Sequence, residues 1–300
     1  MSLTRDANQH LPVEATMSTT FGAMMFPTDY AIQPIELARA IEERGLDSLY
    51  FPEHTHIPTS RRSPWPGGGD LPEEYWHTHD PFVALGAAAA ATKRIRLGTG
   101  VCLVIERDPI VLAKECASLD LISGGRLSFG IGGGWNAEEM EDHGTDFRKR
   151  WALLRERILA MRAIWTKDPA EFHGELVNFE PMRAFPKPVQ KGGPPVLLGS
   201  EAKRCFERVV EYCDGWMPIY RRNHTLAEGV KQLRETASRA GRRFESLKLT
   251  VFGVPPREDE VKKLIEIGFQ EIIFALPPAP ADKVLPMLDG YAAIKQKLAA

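Results

Sequence analysis

Short apolar runs alternate with amphipathic stretches along this chain. FGAMMFP at 21–27 is apolar and ends on proline. PIELARAIEERG at 34–45 follows, with Ile35, Ala38 and Ile41 at helical spacing and Gly45 as a stop. SLYFPEH at 48–54 reads as a strand. DPFVALGAAAAATK at 80–93 opens on an aspartate suited to capping, then Pro81 at the first helical position. IRLGTGVCLV at 95–104 is a strand, and 109–125 is a helix opened by proline and closed by glycines. RLSFGIG at 126–132 is a further strand.

The rhythm then breaks. Residues 149–166 pattern as a long amphipathic helix, 170–180 as a hairpin turning at His173 and Gly174, and 185–195 as a proline-rich connection. Alternation resumes with strands at 196–200, 215–220, 247–253 and 271–277. Helices follow at 201–213, 226–240, 257–268 and after Asp282. That makes eight strand candidates, seven followed at once by a helix. Buried parallel strands read as short apolar runs. Eight such units predict an α/β fold, a (β/α)8 TIM barrel, with a doubly wound open sheet as the alternative.

The 300 residues are 43% hydrophobic and 26% charged, an ordinary globular composition. A net charge of −2 gives no footprint for nucleic acid or an anionic membrane. No apolar run reaches the roughly 20 residues of a membrane helix. Residues 1–19 lack a signal-peptide core and read as a polar extension before one domain over 20–300. Cys102, Cys116, Cys205 and Cys213 sit in apolar contexts with no C-x-x-C pair, which suits buried thiols in a cytoplasmic protein.

In either fold, ligands sit where strands end at their C-termini. The second strand ends in Glu53 and His54. Histidine there can act as general acid, base or charge stabiliser, or be satisfied at the rim. His54 and His56 also resemble a metal pair, but the later strand ends LLGS, VFGVPP and ALPPAP supply no further ligand, so no metal centre is expected. The fourth strand runs into GIGGGWNAEE. A dinucleotide fingerprint would need glycine where Trp135 stands, and no phosphate-loop Lys-Ser/Thr follows. Gly132, Gly133 and Gly134 permit either a close ligand or a crowded strand end. Gly199 and Ser200, ahead of a helix, read as an anion site or a plain N-cap.

Taken in order, ARAIEERGLDSLYFPEH, HDPFVALGAAAAATKRIRLGTGV, RDPIVLAKECASLDLISGGRLSFGIGGGWNAEEM, HGELVNF, KPVQKGGPPVLLGS and DGWMP carry a resemblance. The chain resembles the luciferase-like monooxygenase superfamily and, within it, the coenzyme F420-dependent oxidoreductases. The resemblance implies a (β/α)8 barrel with an insertion between strands four and five. It implies a deazaflavin at the mouth, with His54 near the reactive ring and Glu53 orienting it. It also implies a bulge with a non-prolyl cis peptide at Gly100-Val101 backing the ring, and the cofactor phosphate near Gly199 and Ser200. Gly133, Gly134 and Trp135 would border cofactor and substrate. Sugar-phosphate dehydrogenases of this superfamily carry a catalytic glutamate about where this chain has Trp135, so neither that acid nor that substrate is expected.

The resemblance therefore implies hydride transfer between coenzyme F420 and a small-molecule substrate, in a homodimer. A reduced-FMN monooxygenase supplied by a separate reductase is the rival within the same superfamily, and a non-catalytic ligand-binding barrel lies outside it. The loop 61–79, with Trp65 and Trp76 among prolines and glycines, reads equally as a lid or a subunit contact.

Overall fold

The computed structural model describes residues 19–220 and 226–299. The polar extension expected over 1–19 lies outside the described residues, apart from Thr19. Among them, the strands in chain order are β1 (Thr20–Met24), β2 (Ser48–Phe51), β3 (Arg96–Cys102), β4 (Leu127–Ile131), β5 (Ala170–His173), β6 (Asn178–Met182), β7 (Val196–Leu198), β8 (Gly215–Trp216), β9 (Lys248–Val254) and β10 (Glu271–Ala275). All but β5 and β6 form one closed parallel barrel, with β10 pairing back onto β1 from Thr20 beside Glu271. The fold is a (β/α)8 barrel. β4 pairs directly with β7, and the segment between them holds both the barrel's fourth helix, Arg150–Thr166, and the insertion with the antiparallel β5–β6 hairpin.

The helices are α1 (Pro34–Glu43), α2 (Glu74–His77), α3 (Pro81–Ala91), α4 (Pro109–Ile122), α5 (Ala137–Asp142), α6 (Arg150–Thr166), α7 (Cys205–Tyr212), α8 (Leu226–Arg239), α9 (Glu258–Ile267) and α10 (Ala281–Ala299). Two begin as the sequence dictates. Asp80 accepts from the amides of Phe82 and Val83, and Asp108 from those of Ile110 and Val111, each just ahead of proline. None of the described helices is long and apolar enough to cross a membrane. All four cysteines are free and buried.

Alternation along each strand makes two cores. Leu49 and Phe51 face the helices, while Tyr50 joins Met24, Leu197, Met217, Phe252 and Ile273 inside the barrel. The interior is full. A Cβ on Gly98 would stand 2.1 Å from the Tyr50 ring.

Two expected elements are shorter than their apolar patterns. β8 stops at Trp216, and the chain rejoins the sheet only as a bridge from Ile219 to Phe252, because Pro218 offers no amide hydrogen. α7 starts at Cys205, not at 201. Arg204 has φ 66°, and the Ser200 carbonyl already accepts from Trp216 Nε1 at 2.9 Å. Helix α2 was not foreseen in the sequence pattern, whereas α5 is the helix start that the acidic residues after GIGGGWN suggest. At four residues α2 lacks room for a periodic signal.

At the N-terminal end of the barrel, Glu271 closes the bottom. It accepts hydrogen bonds from Ser48 Oγ at 2.6 Å, Tyr50 Oη at 3.1 Å and Thr250 Oγ1 at 3.2 Å. Removing it strands three buried hydroxyls, each costly to leave unpaired. Glu271→Ala should lower stability by on the order of 3 kcal/mol in urea unfolding. Ligand binding at the opposite end should be retained. A loss under about 1 kcal/mol would contradict this structural role.

Candidate active site at the barrel mouth

The ends of six strands, β1, β2, β3, β4, β7 and β9, converge on one cavity of about 650 Å³ at the C-terminal mouth. That volume lies within the range of roughly 300–1,000 Å³ typical of ligand and cofactor sites. β2 delivers Glu53 and His54. β3 delivers Gly100 and Val101, joined by a cis peptide where the pairing with β4 shifts register. β4 runs out into Gly132, Gly133, Gly134 and Trp135, and β7 into Gly199 and Ser200. All nine site residues expected from the sequence line this cavity.

The glycines have a packing reason. A Cβ on Gly132 or on Gly199 would meet Val101 at 2.5 Å, and one on Gly100 would meet the Phe252 ring at 2.4 Å. Val101 is thus wedged between the ends of β4 and β7. A Cβ on Gly133 would strike Trp151 at 2.5 Å. Gly134 has φ 66°, a left-handed conformation that suits glycine. The fourth-strand loop is therefore a crowded strand end that also forms a cavity wall.

His54 is held by an unforeseen partner. Its Nδ1 lies 2.7 Å from Glu139 Oε2, and the amide of Thr55 donates to Glu139 Oε1 at 3.2 Å. The His54 side chain is 7% exposed and that of Glu139 0%. An ionised carboxylate only accepts, so the proton sits on Nδ1. Nε2 is left with no hydrogen bond among the described residues, on a ring that lines the cavity. Tyr75 and Trp135 pack around that ring, with centroids 5.0 Å and 5.8 Å away.

Glu53 does not orient His54, contrary to the sequence expectation. It accepts from Arg107 Nε at 2.5 Å and from the Leu103 amide at 2.6 Å, and Arg107 also pairs with Asp80 and Glu115. Its carboxylate is committed to fastening the exit of β3. The second histidine of the pair, His56, turns to Asp142 at 2.9 Å. Among the described residues no group of three histidine, cysteine, aspartate or glutamate side chains is placed to hold a metal ion.

Ser200 lines the cavity, but not as the cap of α7. Its Oγ accepts from the Ala202 amide at 3.1 Å, in a turn ahead of the helix. The cavity instead receives a cation that sequence reasoning missed. Arg150 lines it, with Nε buried and unpartnered and its guanidinium 3.7 Å from the Phe147 ring centroid. Arg208 stacks on Trp151 at 4.2 Å. No linear motif marks them, because they come from α6 and α7.

Behind the site, Glu106 has both carboxyl oxygens buried without a partner. Burial, then the charges of Glu139 and Glu53, push its pKa up to about 9.

The chain belongs to the luciferase-like monooxygenase family, whose model matches residues 17–262. It is 40% identical over 277 residues to an uncharacterised protein of Mycobacterium tuberculosis, covering 91% of this chain and 97% of that one. It is 31% identical over 218 residues to an F420-dependent glucose-6-phosphate dehydrogenase of Amycolatopsis mediterranei, covering 68% and 60%. The monooxygenase RslO1 of Streptomyces bottropensis shares the fold at a TM-score of 0.74 and 21% identity, over 94% of this chain and 100% of its own. Family membership makes this chain an enzyme of the oxidoreductase and monooxygenase class.

Glu106 yields a pH prediction. Below its ordinary value of 4.5 the carboxyl is neutral folded and unfolded, and adds no pH dependence to stability. From there up to about 9 only the folded state keeps the proton. Stability then falls with rising pH, by up to about 1.4 kcal/mol per pH unit. Glu106→Gln should remove that slope. In urea unfolding from about pH 5 to about pH 9, the variant should gain on the parent as pH rises. Parallel curves would contradict a neutral Glu106.

Proposed function

We propose that the chain is an oxidoreductase that binds coenzyme F420 across the barrel mouth and exchanges hydride with a small organic substrate. The observation that carries this reading is the buried His54–Glu139 pair on the wall of the 650 Å³ cavity. The F420-dependent relative from Amycolatopsis mediterranei supports it. The lining suits a flat ring with an anionic tail. Val101, Trp135 and the glycine backbone of Gly133, Gly134 and Gly199 offer apolar walls. Arg150 and Ser200 offer donors, and the Arg150 Nε is buried without a partner.

The deazaflavin, when bound, supplies or accepts the hydride, which is chemistry no side chain provides. The chain's own residues manage the proton. In alcohol oxidation the free Nε2 of His54 takes the hydroxyl proton as the carbon loses hydride, leaving a carbonyl. In the reverse direction it returns that proton. Glu139 holds Nδ1–H, fixes the tautomer that leaves Nε2 able to accept, and stabilises the imidazolium formed. Tyr75 and Trp135 limit the motion of the ring and exclude water from it.

This assigns His54 the proton transfer and Glu139 a positioning role, with Glu53 left to the scaffold. His54→Ala should lower kcat by about 100-fold or more. Its cofactor Kd should stay within about threefold of the parent, since the change removes no cofactor anchor. Glu139→Gln should lower kcat by at least about tenfold with KM little changed, through loss of the fixed tautomer. Steady-state kinetics beside cofactor titration checks both. Unchanged turnover in His54→Ala would sink the proton-transfer role.

A further inference from the structure

A second cavity of about 470 Å³ adjoins the first. It is lined by Trp65, Pro66, Gly67, Tyr75, Trp135 and Ile219, and it shares Pro66, Tyr75, Trp135 and Ile219 with the first. The charged residues of the larger cavity, Arg150 and Glu53 among them, do not reach it. Four of its six lining residues come from the loop 61–79 folding over the mouth, the kind of segment most open to variation in a barrel.

The chamber is fastened at three points. Trp65 Nε1 donates to Tyr75 Oη at 3.0 Å. Gly67 lets the Trp65 ring lie flat on the backbone, since a Cβ there would stand 2.4 Å from the indole. The Ser63 amide donates to both oxygens of Glu138, at 2.9 Å and 3.1 Å, and the Ser63 hydroxyl donates to it as well. Ser63 Oγ also accepts from the Ala137 amide at 3.0 Å, tying the loop to the start of α5. The wall is preformed rather than a loose flap.

The donor inventory is sparse. Tyr75 Oη accepts from Trp65, and its own hydrogen has no acceptor among the described residues. The indole N–H of Trp135 likewise makes no hydrogen bond there. Apart from backbone groups such as those of Gly67, the rest of the lining is ring, methyl or methylene, and no charged side chain takes part. A charge placed here would lose water and find no counter-ion, whereas an apolar body gains by burial. One accepting oxygen could be met by Tyr75 or Trp135, close to His54.

We infer that this chamber selects an uncharged alicyclic or aromatic substrate bearing a single carbonyl or hydroxyl oxygen, and that it excludes sugar phosphates and carboxylates. The inference rests on the reading that the first cavity holds the cofactor, with the substrate oxygen presented towards His54. It departs from the glucose-6-phosphate specificity named for the Amycolatopsis mediterranei relative.

The test is a binding panel followed by intrinsic tryptophan fluorescence, with the full chain alone and after titration with F420 and with FMN. The probes are cyclohexanone, cyclohexanol, cyclohexanecarboxylate and glucose 6-phosphate. Cyclohexanone or cyclohexanol should bind at least tenfold more tightly than the carboxylate, and glucose 6-phosphate should not bind. Trp65→Ala should abolish that preference without changing the cofactor Kd, and Trp65→Phe should restore most of it. The parent's own preference needs no variant to fold. Equal or tighter binding of either anion, or no binding of the neutral probes up to their solubility, overturns the inference even where the cofactor binds. If neither cofactor binds while the Trp65-dependent preference persists, the cofactor reading fails and the chamber assignment stands.

Discussion

The hydrogen bond between His54 and Glu139 ties the end of β2 to the helix that follows β4. These are separate strands of the barrel, and their order in the chain gives no hint of the pair. Glu139 is fully buried, so its charge must be answered locally, and His54 with the Thr55 amide answers it. Much of the mouth depends on that placement. Trp135 and Tyr75 pack against the same imidazole, and Tyr75 carries the clasp that holds Trp65. Disturbing the pair would disturb the imidazole and the aromatic wall around it together.

A second constraint is the crowding around Val101. The barrel interior is filled by Tyr50, Met217 and Phe252, and beside it β3 shifts register against β4 between Thr99 and Cys102. Val101 then occupies the space that side chains at Gly132 and Gly199 would need. Three strand ends approach closely because two of them carry no Cβ there. The result is a wall of backbone and small apolar groups, the surface a flat ring can lie against.

The fold was legible because its signals are local. Proline after aspartate at 80–81 and 108–109, glycine stops and short apolar runs each report on a few adjacent residues, and the barrel follows from their order. The residues singled out at strand ends, from Glu53 and His54 round to Gly199 and Ser200, line one cavity. Roles were less legible than positions. Glu53 stands next to His54 in sequence, yet the backbone turn sends it to Arg107 and Leu103. Glu139 was visible only as part of an acidic patch starting a helix, because its partner lies 85 residues away. Arg150 and Arg208 meet only after α6 and α7 pack around Trp151. The start of α7 was misread because the claim of Trp216 on the Ser200 carbonyl is a tertiary contact that no helical periodicity reports.

The central claim is that this mouth holds a deazaflavin beside His54. It is tested most directly by titrating the purified protein with coenzyme F420 and with FMN, each oxidised and reduced, and following cofactor fluorescence. The account predicts saturable F420 binding at least tenfold tighter than FMN binding, weakened by Arg150→Ala. Preference for reduced FMN would contradict it and assign the site to oxygen-dependent monooxygenation, and binding of neither would remove the redox reading altogether.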